Sequence, residues 1–283
     1  MTPSLTWKTT RFVLNLHQPQ VMGIVNLTPD SFSGGGLRAD TASALRQCEQ
    51  LLREGAHILD LGAESTRPGS TPLPAPDELE RLLPVLREAV KLGLPISIDT
   101  YKAEVMQAAL DLGADIINDI WALRQPGALQ VVARHGACGV CLMHMHRDPQ
   151  SMQLEPMMGD AVAQGGSFLL TQAQALEAAG VERARITLDP GIGFGKTVQQ
   201  NLQLLARQRE LLAPGYPLLV GWSRKSTLGA VTGLDVAERL VPSVAAAMLA
   251  VQRGASVVRV HDVQATVAAL KILEAVHAAA TIA

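Results

Sequence analysis

The feature that most constrains this chain is a repeated unit. A short apolar run ends on a polar residue, and an amphipathic stretch closed by glycine follows. The apolar runs are Val21–Leu27, Ile58–Leu61, Ile96–Asp99, Ile116–Asn118, Gly139–Met143, Ile186–Asp189, Leu218–Val220 and Val257–Val260. Short Val-, Ile- and Leu-rich runs of this kind are the pattern of strands buried on both faces of a parallel sheet. Between them lie helical patterns such as Thr41–Glu54, with Leu45, Cys48, Leu51 and Leu52 on one face. Four helix-to-strand joints carry the same pair: Gly55-Ala56, Gly113-Ala114, Gly136-Ala137 and Gly254-Ala255. Each glycine falls where a helix ends on a left-handed residue just before a strand.

Eight such units in about 260 residues predict an α/β fold, a (β/α)8 barrel of the TIM type, over a doubly wound open sheet. No linker or low-complexity stretch interrupts the alternation, so residues 21–283 are expected to form a single barrel domain. Residues 1–20 hold two β-like pieces, Leu5–Lys8 and Arg11–Leu16, predicted to pair as a hairpin across the barrel's bottom. Hydrophobic residues make up 48% and aromatics only 3%, so the interior must be aliphatic and rich in alanine. With 24 Lys and Arg against 26 acids, no bulk charge draws the chain to nucleic acid or an anionic membrane. No apolar run approaches the ~20 residues that span a bilayer, and residues 1–20 show no signal-peptide core. Three cysteines do not make a disulfide framework, and a cytoplasmic location is expected.

A barrel places its functional groups at the C-terminal strand ends and on the loops after them. Here those ends carry Asn26, Asp60, Asp99, Asn118, Met143, Asp189, the run Ser223 to Lys225, and Arg259 with His261. Asp60 is assigned to loop tethering. Asp99, Asn118 and Asp189 supply acceptors for a flat heterocycle with an amino group and ring N–H donors. Arg259 and His261 are two residues apart, so in extended backbone they point the same way. Joined by Arg67, they are expected to clamp a phosphate, with Asn26 as a neutral oxygen ligand for Mg²⁺ on it. Thr28–Leu37 and Glu64–Pro76, rich in Gly, Ser and Pro, read as lids. Cys138-Gly-Val-Cys141 with His144 and His146 imitates a metal cluster, but strand residues three apart face opposite ways.

Seven runs then carry a resemblance, in order along the chain: Gly23 to Ser33 (GIVNLTPDSFS), Asp60 to Gly69 (DLGAESTRPG), Ser97 to Thr100 (SIDT), Asn118 to Ile120 (NDI), Leu142 to Met145 (LMHM), Leu188 to Lys196 (LDPGIGFGK) and Ser223 to Ser226 (SRKS). Together they resemble the dihydropteroate synthase family. The resemblance implies a (β/α)8 barrel, usually a homodimer, in folate synthesis. Such enzymes join p-aminobenzoate to 6-hydroxymethyl-7,8-dihydropterin diphosphate and release pyrophosphate, using Mg²⁺. It also implies a pterin site of Asp99, Asn118, Met143, Asp189, Phe194 and Lys225. The diphosphate would meet Asn26, Thr66, Arg67, Arg259 and His261. The p-aminobenzoate would lie among Phe32, Thr66, Pro68, Lys225 and Ser226. Asp99, Lys225 and Arg259 would be the catalytic set. Where the family commonly has an acid, a Gly or Pro, and a Gln, this chain has Gly34, Ala63 and His146. Two alternatives share the pocket: a pterin-binding methyltransferase that serves a corrinoid, and a catalytically silent pterin-binding barrel. The first has no need of the phosphate clamp or of Ser223 to Ser226, and the second would lose lid or anion residues.

Overall fold

The structure, a computed structural model, describes residues 5–28, 37–66 and 69–280. The chain opens with two antiparallel strands, β1 (Thr6–Lys8) and β2 (Val13–Asn15), the predicted hairpin. Eight parallel strands follow: β3 (Gln20–Asn26), β4 (Ile58–Gly62), β5 (Ile96–Asp99), β6 (Ile116–Asp119), β7 (Gly139–Met143), β8 (Ile186–Asp189), β9 (Leu219–Val220) and β10 (Val257–Val260). They pair in the order β8-β7-β6-β5-β4-β3-β10-β9, and a single bridge, Leu188 to Leu218, brings the two edges together. The result is the predicted barrel.

Helices follow the strands: α1 (Leu37–Arg53), α2 (Ala75–Ala89), α3 (Ala103–Asp111), α4 (Ala128–His135), α5 (Ala161–Ala178), α6 (Val198–Ala206), α7 (Gln208–Leu211), α8 (Ser226–Thr232), α9 (Leu240–Gln252) and α10 (Val263–Ala280). Gly55, Gly113, Gly136 and Gly254 all take the left-handed conformation foreseen for the helix-to-strand joints, with φ between 76° and 95°. One helix departs from the reading of apolar runs. Rich in alanine, α10 is long and apolar enough, by length and composition alone, to cross a membrane. In the fold it buries Val263, Thr266, Leu270 and Leu273.

Strand side chains alternate between two environments. The outward set, among them Val25, Leu59, Leu61, Ile98, Ile117, Val140, Leu142, Leu188 and Val258, packs with the helices into one aliphatic core. The inward set begins at the bottom with an apolar floor of Met22, Ile58, Ile116, Cys141, Leu219 and Val257, sealed by Trp7 and Leu16 of the hairpin. Trp7 is fully buried, and its indole N–H donates to the Arg185 carbonyl at 3.0 Å. The hairpin thus closes the end opposite the polar strand termini.

Candidate active site

Moving up one pleat repeat from this floor changes the chemistry. Two residues beyond Ile58, Ile116, Cys141 and Val257 stand Asp60, Asn118, Met143 and Arg259, again facing inward. Strand register then sets neighbours side by side: Asp99 opposite Asn118, and Met143 opposite Asp189. Arg259 lies at the centre. Its Nε donates to Asp60 Oδ2 at 2.6 Å, and its Nη2 donates to Asp99 Oδ2 at 2.8 Å. Asn118 Nδ2 donates to the same Asp60 oxygen at 3.2 Å.

This geometry revises two expectations. Asp60 is not a loop tether; fully buried, it orients Arg259 and Asn118 from below. Nor do Arg259 and His261 form a simple outward clamp. The guanidinium turns onto two carboxylates, since leaving those charges unpaired inside the barrel would cost several kcal/mol each. His261 takes its own course. Ser223 Oγ accepts from the His261 backbone N–H at 3.2 Å and lies 2.9 Å from Nδ1. In the tautomer where Ser223 Oγ donates to Nδ1, the ring proton sits on Nε2.

Burial sets the charges. It raises the Asp99 carboxyl above its ordinary range, against the pull of Arg259, and it raises Asp189 to about 6, against the N–H of Gly191. Burial, then the Arg259 charge, lowers Lys225 to about 8 and His261 to about 3, so the imidazole is neutral at pH 7. Burial would also lower Arg259, but Asp60 and Asp99 more than offset it. The Lys225 ammonium sits 4.4 Å from the centroid of the Phe194 ring.

Phe194 belongs to the Gly-rich loop after β8. Asp189 Oδ1 accepts from Gly191 N–H at 2.7 Å, which starts the turn. Only glycine fits at 191: φ is 68°, and a Cβ would stand 1.9 Å from the His144 carbonyl oxygen. Lys196 pins the loop from beneath, its Nζ donating to the carbonyls of His144, Gly191 and Phe194 at 3.2, 3.0 and 3.1 Å. Met143 is buried with Ile120, Met145 and Met152, and Phe194 packs against this cluster.

The remaining predicted residues stand around the rim. Asn26 ends β3 and Thr66 lies in the loop after β4, both half-buried; Ser226 opens α8 and is exposed. Phe32, Arg67 and Pro68, together with Gly34, lie outside the described residues. Cys138 and Cys141 diverge as the strand reading required, Cys141 to the barrel floor and Cys138 to the helix side. Both are free thiols raised above their ordinary value by burial. Among the described residues, no group of three or more His, Cys, Asp or Glu converges as a metal site.

Residues 22–261 match the family described as pterin binding enzyme. The chain belongs to that family. This pterin-binding enzyme is 51% identical to the dihydropteroate synthase of Neisseria meningitidis serogroup C, over 95% of its own length and 96% of the relative's. A Burkholderia cenocepacia dihydropteroate synthase complexed with 7,8-dihydropteroate superposes with a TM-score of 0.90 at 49% identity, covering 98% of each chain. A Xanthomonas albilineans dihydropteroate synthase with 4-aminobenzoic acid gives 0.91 at 47% identity, covering 97% of this chain and 99% of that one.

Several supporting residues of this pterin-binding enzyme escape the sequence reading. Lys196 passes there as the end of a glycine motif, although a lysine beside a buried turn is itself a signal of carbonyl capture. Asn201 Oδ1 accepts from Gly193 N–H at 2.8 Å, and its Nδ2 donates to Thr227 Oγ1 at 3.1 Å, tying the β8 loop to α8. Arg224, with φ of 58°, is held by Asp262 through two hydrogen bonds of 3.1 and 2.7 Å. These contacts fix the run that delivers Lys225.

Proposed function

We infer that the protein catalyses the dihydropteroate synthase reaction, joining 6-hydroxymethyl-7,8-dihydropterin diphosphate to p-aminobenzoate with release of pyrophosphate, in folate biosynthesis. The observation that carries this reading is the set of Asp99, Asn118 and Asp189 at the mouth ends of β5, β6 and β8, with Lys225 stacked on Phe194 beside them. Acceptors at that spacing suit the edge of a pterin, and an aromatic face with an ammonium suits its plane.

In this reading the C–O bond to the pterin methylene breaks, and its electron pair leaves with pyrophosphate. The Asp99 carboxylate stabilises the positive charge left on the methylene carbon. The p-aminobenzoate nitrogen then forms the new C–N bond and releases its proton to solvent. His261, neutral and in the tautomer with its proton on Nε2, donates to the departing diphosphate, together with Thr66 and Arg67. Arg259 holds Asp99 in place and adds a positive field beneath the leaving group. The p-aminobenzoate lies among Phe32, Thr66, Pro68, Lys225 and Ser226. In this reading the Asn26 carboxamide oxygen would hold Mg²⁺, which would supply positive charge to neutralise the diphosphate. An ion that keeps most of its waters and phosphate oxygens suits so sparse a protein contribution.

Three buried free thiols support a reducing, cytoplasmic setting. A homodimer is part of the same reading, supported by the exposed apolar residues Val231, Val236, Val241, Ile272 and Val276 on and between α8, α9 and α10. Sedimentation showing only monomer at micromolar concentration would remove that part. The activity itself is tested by pyrophosphate release. Release should require both substrates and stop when the divalent cation is chelated. Binding of the pterin diphosphate without any turnover would mark a silent pterin-binding barrel instead.

A further inference from the structure

The loop after β7, residues 144–160, touches two other loops at the barrel mouth. At one end the Pro149 carbonyl accepts from Gly69 N–H at 3.1 Å, and Gln150 Nε2 donates to the Ser70 carbonyl at 3.2 Å. Ser70 in turn donates its hydroxyl to the Ser65 carbonyl at 2.6 Å, one residue before Thr66. At the other end Gln153 Nε2 donates to the Gly193 carbonyl at 2.7 Å, and Met157 N–H donates to the Gly195 carbonyl at 2.9 Å. Gly193 and Gly195 flank Phe194.

The segment between these ends is built as a stiff spacer. Asp148 accepts from Ser151 N–H and Ser151 Oγ at 2.8 and 2.9 Å, and the Met152 N–H closes the turn onto the Asp148 carbonyl at 2.9 Å. Met152 is buried beside Met143, while Gln150 and Gln153 are exposed. Exposed neutral hydrogen bonds add little to global stability, so these two side chains have little structural reason to point as they do. Between them they link the loop bearing Thr66 to the loop bearing Phe194.

We propose that residues 148–153 form a strap that carries the position of the Phe194 loop to the Thr66 loop, with Gln150 and Gln153 as positioning residues for p-aminobenzoate. The proposal rests on the synthase reading above. It places the effect of Gln153 on the substrate it does not face: its partner loop belongs to the pterin side, yet its loss acts on the other substrate. The two glutamines act in series, so loss of either side-chain link slackens the same coupling, while the backbone links from Gly69 to Pro149 and from Met157 to Gly195 keep the loop in place.

The test is steady-state kinetics of Gln150→Ala, Gln153→Ala and the double variant, with calorimetric affinity for the pterin diphosphate. Gln153→Glu is added because it keeps the shape and places an acceptor against the Gly193 carbonyl. Each single change should raise KM for p-aminobenzoate severalfold, up to about tenfold, as loss of one neutral hydrogen bond allows. Pterin diphosphate affinity and melting temperature should stay close to wild type. The double variant should do no more than the larger single one, the mark of one shared coupling. A Gln153→Ala effect on p-aminobenzoate KM below twofold, or a double effect equal to the product of the singles, overturns the strap. Wild-type turnover is measured in the same series, so loss of the synthase reading itself is seen separately.

Discussion

Two buried aspartates at opposite ends of the barrel show how the same residue type serves different ends. At the bottom, Asp115 accepts from four N–H donors: the backbone and Nε of Arg11 at 3.1 Å each, Arg11 Nη2 at 2.6 Å and the Ile96 backbone at 2.9 Å. At the mouth, Asp60 Oδ2 serves Arg259 and Asn118, while its Oδ1 has no hydrogen-bond partner among the described residues. The saturated carboxylate holds the hairpin to the fold. Asp60 keeps one buried, unpaired oxygen beneath the mouth, and burial keeps Asp99 and Asp189 protonating above their ordinary range. Satisfaction of hydrogen bonds, more than burial, separates the acid that ties the hairpin down from the acids proposed to meet the ligand.

The largest effect that tests this contrast is at the bottom. Asp115→Ala strips Arg11 and the β5 backbone of their acceptor and should cost about 3 kcal/mol of stability, the low end for breaking a buried pair. Thermal or urea unfolding measures it, and KM for both substrates should hold in whatever stays folded. A stable Asp115→Ala protein with impaired turnover would erase the distinction.

At the mouth, Asp189→Asn should invert that result. The Asp189 carboxyl binds its proton more tightly in the fold than in the unfolded chain, with its value raised from 3.8 to about 6. The folded state therefore loses stability as pH climbs through that window, and at pH 7 it carries the whole deficit. The amide removes this charge and can still accept from Gly191 N–H. Melting temperature at pH 7 should thus be unchanged or higher, while pterin affinity drops more than about tenfold, or ~1.4 kcal/mol. A lower melting temperature with intact affinity would move Asp189 to the structural side.

The smallest effect is a pH limb. Lys225, lowered to about 8, is protonated below that value and loses its charge above it. The kcat/KM for the pterin diphosphate should fall as pH rises past about 8, because that ratio reports the free enzyme. Lys225→Arg should push the fall to higher pH. A limb that stays put in the variant belongs to another group.

Sequence legibility divides along similar lines. Strand ends were readable because parity is local: Asp99 and Asp189 close, and Asn118 nearly closes, strands that begin with apolar residues. The Gly-Ala joints were readable for the same reason. Partners were not. Nothing near Asp60 announces that its guanidinium lies 199 residues away, so tethering was the natural local reading. Lys196 finds one of its three carbonyls on His144, 52 residues back, and Gln150 and Gln153 sit in a loop with no periodicity to decode. The seven-motif resemblance supplied site assignments that such local rules do not reach.

The ion pairs of Arg259 have a consequence for the order in which the chain is made. Asp60 and Asp99 leave the ribosome well before their cation, which arrives 199 and 160 residues later on the last strand. Until then a nascent barrel would have to hide two carboxylates with no counter-charge, so they stay hydrated and the half-built sheet stays open. Docking of β10 between β3 and β9 therefore closes the sheet and neutralises its interior in one event. The strand that completes the sheet also carries the charge that lets its interior become dry.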